Sequence, residues 1–327
     1  MDIPKNDNGF SERVIAVAGP TASGKTRLAV ELAKALGGEV ISCDSVAVYR
    51  GLDVGSAKPT EEEMQGIPHH LIDVAEPTES FSCADYVALA SAAADGILSR
   101  GKIPVICGGT GLYMDNLILG TGFSPAPADP EFRRRAETVG SGELYRELER
   151  IDPDAAAATH PNNRPRVIRA LEIFHTTGVT KTEWDRRSRL APPRYRAEWI
   201  GLKCSDRALA AEMIDRRVDR MLADGLEEEV RTLWETGRLL PGTQAAAAIG
   251  YAEMLSRVIG GEELEAVREA ICVETRHYAK RQMTWFARNR SIRWFEVDAA
   301  ARGEENFNNI VKKVLNLLTN REQCDII

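Results

Sequence analysis

The octapeptide GPTASGKT, Gly19 to Thr26, constrains this chain more than any other feature. It matches G-x-x-x-x-G-K-[ST] and lies between a short apolar run, Arg13 to Ala18, and a segment of helical periodicity, Lys25 to Leu36. Such a loop needs that setting. Glycines let backbone N–H groups turn toward one point, and the helix N-terminus adds partial positive charge there. Gly19, Pro20, Thr21, Ala22, Ser23, Gly24, Lys25 and Thr26 are therefore the expected phosphate cradle. Lys25 supplies a full charge and Thr26 a hydroxyl suited to Mg²⁺. The motif selects phosphate strongly but says little about which phosphate compound.

Around the cradle the chain alternates strand and helix. Gly37 and Gly38 end the first helix, and Glu39 to Asp44 reads as a second strand. Gly51 to Pro68 reads as loop with one short helical piece, Asp85 to Arg100 as a helix, and Ile103 to Cys107 as a buried third strand. This order implies a parallel sheet with right-handed crossovers, an α/β, P-loop NTPase-like sheet flanked by helices. Composition shifts at Gly120 to Pro130, which holds three prolines. Helices are expected over Glu131 to Ile151 and Arg164 to His175. The organisation read from this is a core over 1–120, an inserted mainly helical domain over 121–200, and a second part of the core over 201–327. Within that last part, and just before it, Glu198 to Leu202 and Ile292 to Val297 read as strands. Ser205 to Ala223, Leu226 to Thr236, Glu262 to Arg288 and Asn306 to Leu318 read as helices.

At 43% hydrophobic and 28% charged residues, the chain has an ordinary globular balance. It contains no apolar run of about 18 residues, so no membrane span is expected. The polar stretch Met1 to Glu12 reads as a leader without a secretory core. The six cysteines, at 43, 83, 107, 204, 272 and 324, form no C-x-x-C pair, which points to reduced thiols and a cytoplasmic setting. The formal net charge of −7 argues against a nucleic-acid partner, but its distribution argues for one. His160 to Ile200 carries +5 and Thr275 to Arg293 carries +6, leaving −18 for the remainder. Such segregation creates a local basic surface on an acidic protein; solvated helix faces are the plainer alternative.

A P-loop ATPase or kinase normally presents a Walker-B carboxylate at a second strand end. The third strand here runs Val105-Ile106-Cys107-Gly108-Gly109-Thr110 and lacks one. Asp44, ending the second strand, stands at the ligand-facing edge of the sheet. On the residues alone it is a metal ligand, a general base, or the cap of the next turn.

Several further blocks resemble those of the tRNA dimethylallyltransferases, also called tRNA isopentenyltransferases. They are ISCDSVAVYRGLDVGSAKP (41–59), IPHHLIDVAEPTESFS (67–82), GGTGLYMDNLI (108–118), HPNNRPRVIRALEIF (160–174), RRVDRMLADGLEEEV (216–230), AIGYAEML (248–255) and TRHYAKRQMTWFARNR (275–290). With the phosphate loop they span nearly the whole chain in order. The resemblance implies that the cradle holds dimethylallyl diphosphate rather than ATP. The acceptor it implies is N6 of the adenine 3′ to the anticodon, in tRNAs reading codons that begin with U. Asp44 is then the group that orients N6 and accepts its proton. Two positions depart from the family pattern, which commonly has Gln at Ala47 and Lys at Ala252. No zinc-finger pattern of the eukaryotic relatives follows, which implies the bacterial type.

An adenine N6 amine is a weak nucleophile, so the site must stabilise the departing diphosphate and remove a proton. Lys25, the loop amides, Thr26 with Mg²⁺, and Arg217 are the candidates for the anion. Thr110 is placed to hydrogen-bond acceptor or donor. The expected tRNA contacts are Asp44, Ser45, Val46, Ala47 and Thr110 near the site, with Arg166, Arg169, Arg276, Lys280 and Arg281 on the basic helices. The expected partners are the tRNA anticodon stem-loop and the donor, with the enzyme a monomer. His69 and His70 are assigned structural or tRNA-edge roles, and the tryptophans mostly to the core. A small-molecule or nucleoside kinase and a non-catalytic RNA-binding module are the competing readings.

Overall fold

The sheet is built on β1 (Arg13–Ala18), whose residues Val14 to Ala18 are fully buried. Only a strand paired on both edges and covered on both faces takes so continuous an apolar run. The computed structural model describes residues 13–120, 129–190, 192–297 and 304–319. The expected leader, most of the stretch between Gly120 and Pro130, and Cys324 lie outside them.

After β1 come α1 (Lys25–Leu36), β2 (Glu39–Cys43), α2 (Glu61–Met64), β3 (His69–His70), α3 (Cys83–Ser99), β4 (Pro104–Gly108) and α4 (Gly111–Leu119). The helices α5 (Pro130–Thr138), α6 (Ser141–Ile151), α7 (Pro153–Ala157), α8 (Arg164–Thr177) and α9 (Lys181–Leu190) follow. The sheet resumes with β5 (Arg196–Lys203), then α10 (Arg207–Ala223), α11 (Leu226–Glu235), α12 (Tyr251–Gly260), α13 (Leu264–Phe286), β6 (Arg293–Glu296) and α14 (Glu304–Thr319). The strand order is β3-β2-β4-β1-β5-β6, all parallel, with Ala16 opposite Ile106 on one side and Trp199 on the other. The expected α/β sheet is present.

Side chains alternate between two layers. Val14, Ala16, Ile41 and Ile106 pack with Tyr86 of α3 and with α10 to α13. Ile15, Val17, Val105 and Cys107 pack against α1 and α14 through Leu28, Leu32, Phe307 and Val314. Cys43 and Cys107 belong to opposite layers, and the five described cysteines are free thiols. No helix among the described residues is long and apolar enough to cross a membrane.

Two compact units emerge: the described residues of Met1–Ile118 with Tyr195–Ile327, and Leu119–Arg194. The second has its own core of Ala136, Leu144, Leu148, Val167, Ala170 and Leu171. Residues 196–200, which composition placed with the insertion, belong to β5, whose Trp199 to Leu202 are buried. The single helix expected over Glu131 to Ile151 is broken, because Val139 is extended (φ −90°, ψ 140°) and Gly140 caps α6. The helices α4, α7, α9 and α12 were not legible, and neither was the two-residue β3.

At the amino edge of the sheet Glu39 is 3% exposed and collects three partners. Lys102 Nζ donates to Oε1 at 2.9 Å, Arg100 donates to Oε2 at 2.7 Å, and His70 Nε2 lies 2.8 Å from Oε2. This cluster ties β2 to β3 and to the α3–β4 turn. It also explains His70, while His69 Nδ1 is engaged with the Ile67 carbonyl at 2.8 Å. Burial alone would raise the Glu39 pKa, but the hydrogen bonds from Lys102, His70 and Arg100 outweigh it and hold the value at about 2. A depressed carboxylate stabilises the fold above its ordinary value of 4.5 and loses that contribution as pH falls toward about 2. Glu39→Gln should therefore lower stability at pH 7 by about 2 kcal/mol and flatten the acid limb of the stability curve. Urea melts of both proteins from pH 7 to pH 3 check it; parallel curves would contradict it.

Candidate active site

The loop after β1 holds its shape through backbone that few residues adopt. Gly19 has φ 149°, and a Cβ there would stand 2.4 Å from the Leu202 carbonyl oxygen, so only glycine lets the loop run against β5. Gly24 (φ 83°) caps α1 without any side-chain bond. Ala22 is also left-handed, at φ 63°. Ser23 Oγ donates to the Pro20 carbonyl at 2.8 Å, and Lys25 Nζ donates to the same oxygen at 2.5 Å. Burial pushes the Lys25 pKa down to about 8; Arg217 adds to this, while Cys107 and Asp44 oppose it. A polyanion would relieve that condition.

The carboxyl ends of β1, β2 and β4 open onto a cavity of about 520 Å³. Thr21 to Thr26 line it; Gly19 and Pro20 do not. Asp44 lines it from the end of β2, and its Oδ1 accepts from Val46 N at 2.8 Å and Ala47 N at 3.2 Å. One carboxylate oxygen thus caps the turn, and Oδ2 makes no hydrogen bond among the described residues. Thr110 Oγ1 accepts from Ser45 N at 3.2 Å, tying the Asp44 turn to the end of β4. Thr110 supports the cavity without lining it. Arg217 enters from α10 and donates to the Ser56 carbonyl at 3.1 Å. Burial pushes its pKa down and Asp44 opposes.

Gln282 was missed in the sequence. It is 5% exposed, accepts from Thr21 N through Oε1 at 2.8 Å, and donates from Nε2 to the Gly109 carbonyl at 3.1 Å. It clasps the phosphate loop to the end of β4. Tyr278, one turn earlier on α13, also lines the cavity, and burial raises its hydroxyl to about 12. The signal for both is a polar i, i+4 pair, Tyr278 and Gln282, within a helix face that also buries Thr275 and Phe286.

The expected tRNA contacts divide. Ser45, Val46 and Ala47 line the cavity, but Ala47 is 5% exposed, so its side chain offers little surface to a ligand. Arg281 lines it from an exposed position, its guanidinium 5.7 Å from the Tyr278 ring centre. Arg276 and Lys280 instead line a second cavity, about 460 Å³, bounded by Pro20 to Ser23, α10 and α13. Arg276 is tied down by Asp215 at 2.5 Å and Glu269 at 3.4 Å, so its charge serves the α10–α13 contact. Arg169, in the other compact unit, bonds buried Glu172 at 2.5 Å, where Arg133 and Asp129 N also converge. Arg166 on the same helix is exposed.

For a hard cation the chain offers little on its own. No group of three His, Cys, Asp or Glu side chains stands together among the described residues. Thr26 and Asp44 line the cavity, and the remaining oxygen ligands would have to come from a bound anion. That donor set suits Mg²⁺ arriving with a diphosphate.

Residues 47–290 match the family model described as IPP transferase, and residues 12–79 the one described as isopentenyl transferase. A tRNA dimethylallyltransferase of Anoxybacillus flavithermus is 45% identical over 304 residues, covering 92% of this chain and 96% of the relative. The tRNA dimethylallyltransferase 1 of Pelobacter propionicus is 46% identical over 288 residues, 87% of this chain and 92% of the relative. Among solved structures, a tRNA isopentenylpyrophosphate transferase from Bacillus halodurans superposes with TM-score 0.69 at 40% identity, covering 96% of this chain and 99% of that one. A eukaryotic dimethylallyltransferase acting on tRNA reaches TM-score 0.82 at 27% identity, covering 95% of this chain and 80% of that one.

Because Lys25 loses its charge above about pH 8, anion affinity should carry that titration. The ammonium is the binding form, so affinity declines as pH rises. Isothermal titration with inorganic diphosphate should show the advantage of wild type over Lys25→Met constant below pH 7. Above about pH 8 it should shrink by about tenfold per pH unit. A ratio that stays constant to pH 10 would show that Lys25 does not meet the anion.

Proposed function

The chain belongs to the IPP transferase family of tRNA dimethylallyltransferases, and from that membership we propose that it moves a dimethylallyl group from dimethylallyl diphosphate onto an adenine of tRNA. It is a prenyl-transferring enzyme of tRNA modification. The acceptor we propose is N6 of the adenine 3′ to the anticodon in tRNAs that read codons beginning with U. One observation carries this reading: a single cavity joins a phosphate loop, the part-buried cations Lys25 and Arg217, and Asp44, whose second carboxylate oxygen is uncommitted. A kinase needs a carboxylate at the end of β4, where Cys107, Gly108 and Gly109 stand instead.

The chemistry follows from those groups. The donor's C1–O bond breaks and its electron pair leaves with diphosphate, while positive charge spreads over the allyl group. Lys25, the amides of Ala22 to Thr26, and Arg217 face the departing anion, while the Thr21 amide is taken by Gln282. The N6 lone pair forms the new bond to C1, and the N6 proton passes to Asp44 Oδ2, with Oδ1 anchored by the Val46 and Ala47 amides. Thr110 keeps that turn in register through Ser45 N. Mg²⁺, held by Thr26 and by donor oxygens, would neutralise charge on the leaving diphosphate. The adenine must leave its stack to reach the cavity, and Arg281 at the rim is suited to the loop it comes from. The tRNA anticodon stem-loop is the macromolecular partner, and the setting is a cytoplasmic monomer.

Incubation of the protein with unmodified tRNA and labelled dimethylallyl diphosphate should yield N6-dimethylallyladenosine and free diphosphate without any need for ATP. Asp44→Asn should reduce transfer at least about a hundredfold while changing tRNA affinity much less. If the variant loses tRNA binding but its bound complex reacts at the normal rate, Asp44 is only a turn cap.

Binding of tRNA should also weaken steeply with salt, because counterions are released where cations meet phosphates. Arg281→Ala and Arg166→Ala should flatten the dependence of log affinity on log salt. Arg169→Ala should chiefly lower thermal stability, since it strips a partner from buried Glu172. Equal slopes in all three variants would assign these charges to the solvated surface.

A further inference from the structure

Glu229 on α11 does not line the cavity, yet its carboxylate gathers three consecutive amides of the segment that leads into the wall, which begins at Gly55. Oε2 accepts from Asp53 N at 2.9 Å and Val54 N at 2.8 Å, and Oε1 accepts from Gly55 N at 3.2 Å. Oε1 also accepts from the hydroxyl of Tyr251 at 2.7 Å, a side chain with no exposure. Successive amides converging on one anion fix the conformation of the peptide that carries them. The approach is close: a Cβ on Gly55 would stand 2.6 Å from the Tyr251 ring and 2.9 Å from Leu226 Cδ1.

Beyond Gly55 the chain runs along the cavity through Ser56, Ala57 and Lys58. Its far end is fastened by Lys58 Nζ, which donates to the Tyr49 carbonyl at 2.7 Å, to Asp53 at 2.6 Å and to Asp73 at 2.5 Å. Between these two anchors lies the Ser56 carbonyl, the acceptor that holds Arg217 at 3.1 Å. Arg217 shares the cavity with Asp44, and their charges attract. No salt bridge joins them among the described residues. The Ser56 carbonyl supplies the competing attachment.

We propose that Glu229 is a positioning residue: by fixing the amides of Asp53, Val54 and Gly55 it sets the Ser56 carbonyl, and through it the place of the Arg217 guanidinium in the cavity. This rests on the reading of that cavity as a diphosphate site. When the loop loosens, Arg217 moves onto Asp44, which takes a cation from the leaving group and the free oxygen from the base at once.

The test is a double-mutant cycle read by calorimetry with inorganic diphosphate at constant Mg²⁺. Glu229→Gln keeps the volume but turns one acceptor into an NH₂ group facing donors. It should weaken diphosphate about tenfold on the wild-type background. On an Arg217→Gln background it should cost nothing further, because the group it acts through is gone. Tyr251→Phe, which removes one of the four bonds and keeps the ring against Gly55, should give about a threefold loss with the same dependence on Arg217. It decides the matter if Glu229→Gln fails to melt cooperatively. A folded Glu229→Gln that binds diphosphate like wild type overturns the proposal, as does an equal loss on both backgrounds, the mark of a merely structural role. Wild-type protein that binds no diphosphate would bring down the cavity reading itself, a failure visible before any substitution is made.

Discussion

Parallel pairing of β1 with β4, and of β4 with β2, is the constraint on which the rest of this molecule depends. Parallel strands all end on the same edge, so three separate turns are delivered to one place. The turn after β1 brings the phosphate loop, the turn after β2 brings Asp44, and the turn after β4 brings Gly109 and Thr110. Hydrogen bonds then lock the turns to one another rather than to their own strands. Thr110 N donates to the Cys43 carbonyl at 3.2 Å, and Gln282 bridges Thr21 and Gly109.

The site so assembled is electrostatically unfinished. Burial lowers the pKa of both Lys25 and Arg217, and Arg217 pushes Lys25 further in that direction. Each rests on a carbonyl, Pro20 for one and Ser56 for the other. A carbonyl is a weak partner for a full charge, so under the proposed function a diphosphate would gain both contacts without first breaking an ion pair. Arg276 and Arg169 show the opposite arrangement. Each has carboxylate partners close by, and each acts as a structural tie.

This contrast explains where the sequence was and was not readable. Five of the six described strands, the phosphate loop, Asp44 and the basic segments were legible because they are local: an apolar run, a turn chemistry, a charge count. Arg166 and Arg169 look alike at three-residue spacing, and only the buried Glu172 beneath Arg169 separates them. Gln282 stands 261 positions from Thr21, and Glu229 stands 174 from Gly55. No window on the sequence holds both members of either pair.

By itself, then, the amino-acid sequence determined the parallel α/β core, the glycine-rich loop after β1, and the carboxylate at the end of the second strand. Backbone propensity and apolar period act over a few residues and survive without a partner. The tertiary structure alone decided which charges stay free for a ligand. The desolvation that lowers Lys25, the carbonyl that holds Arg217 and the Asp215 carboxylate that occupies Arg276 come from elements distant in the chain. A charge becomes available or spent only when folding chooses its neighbour.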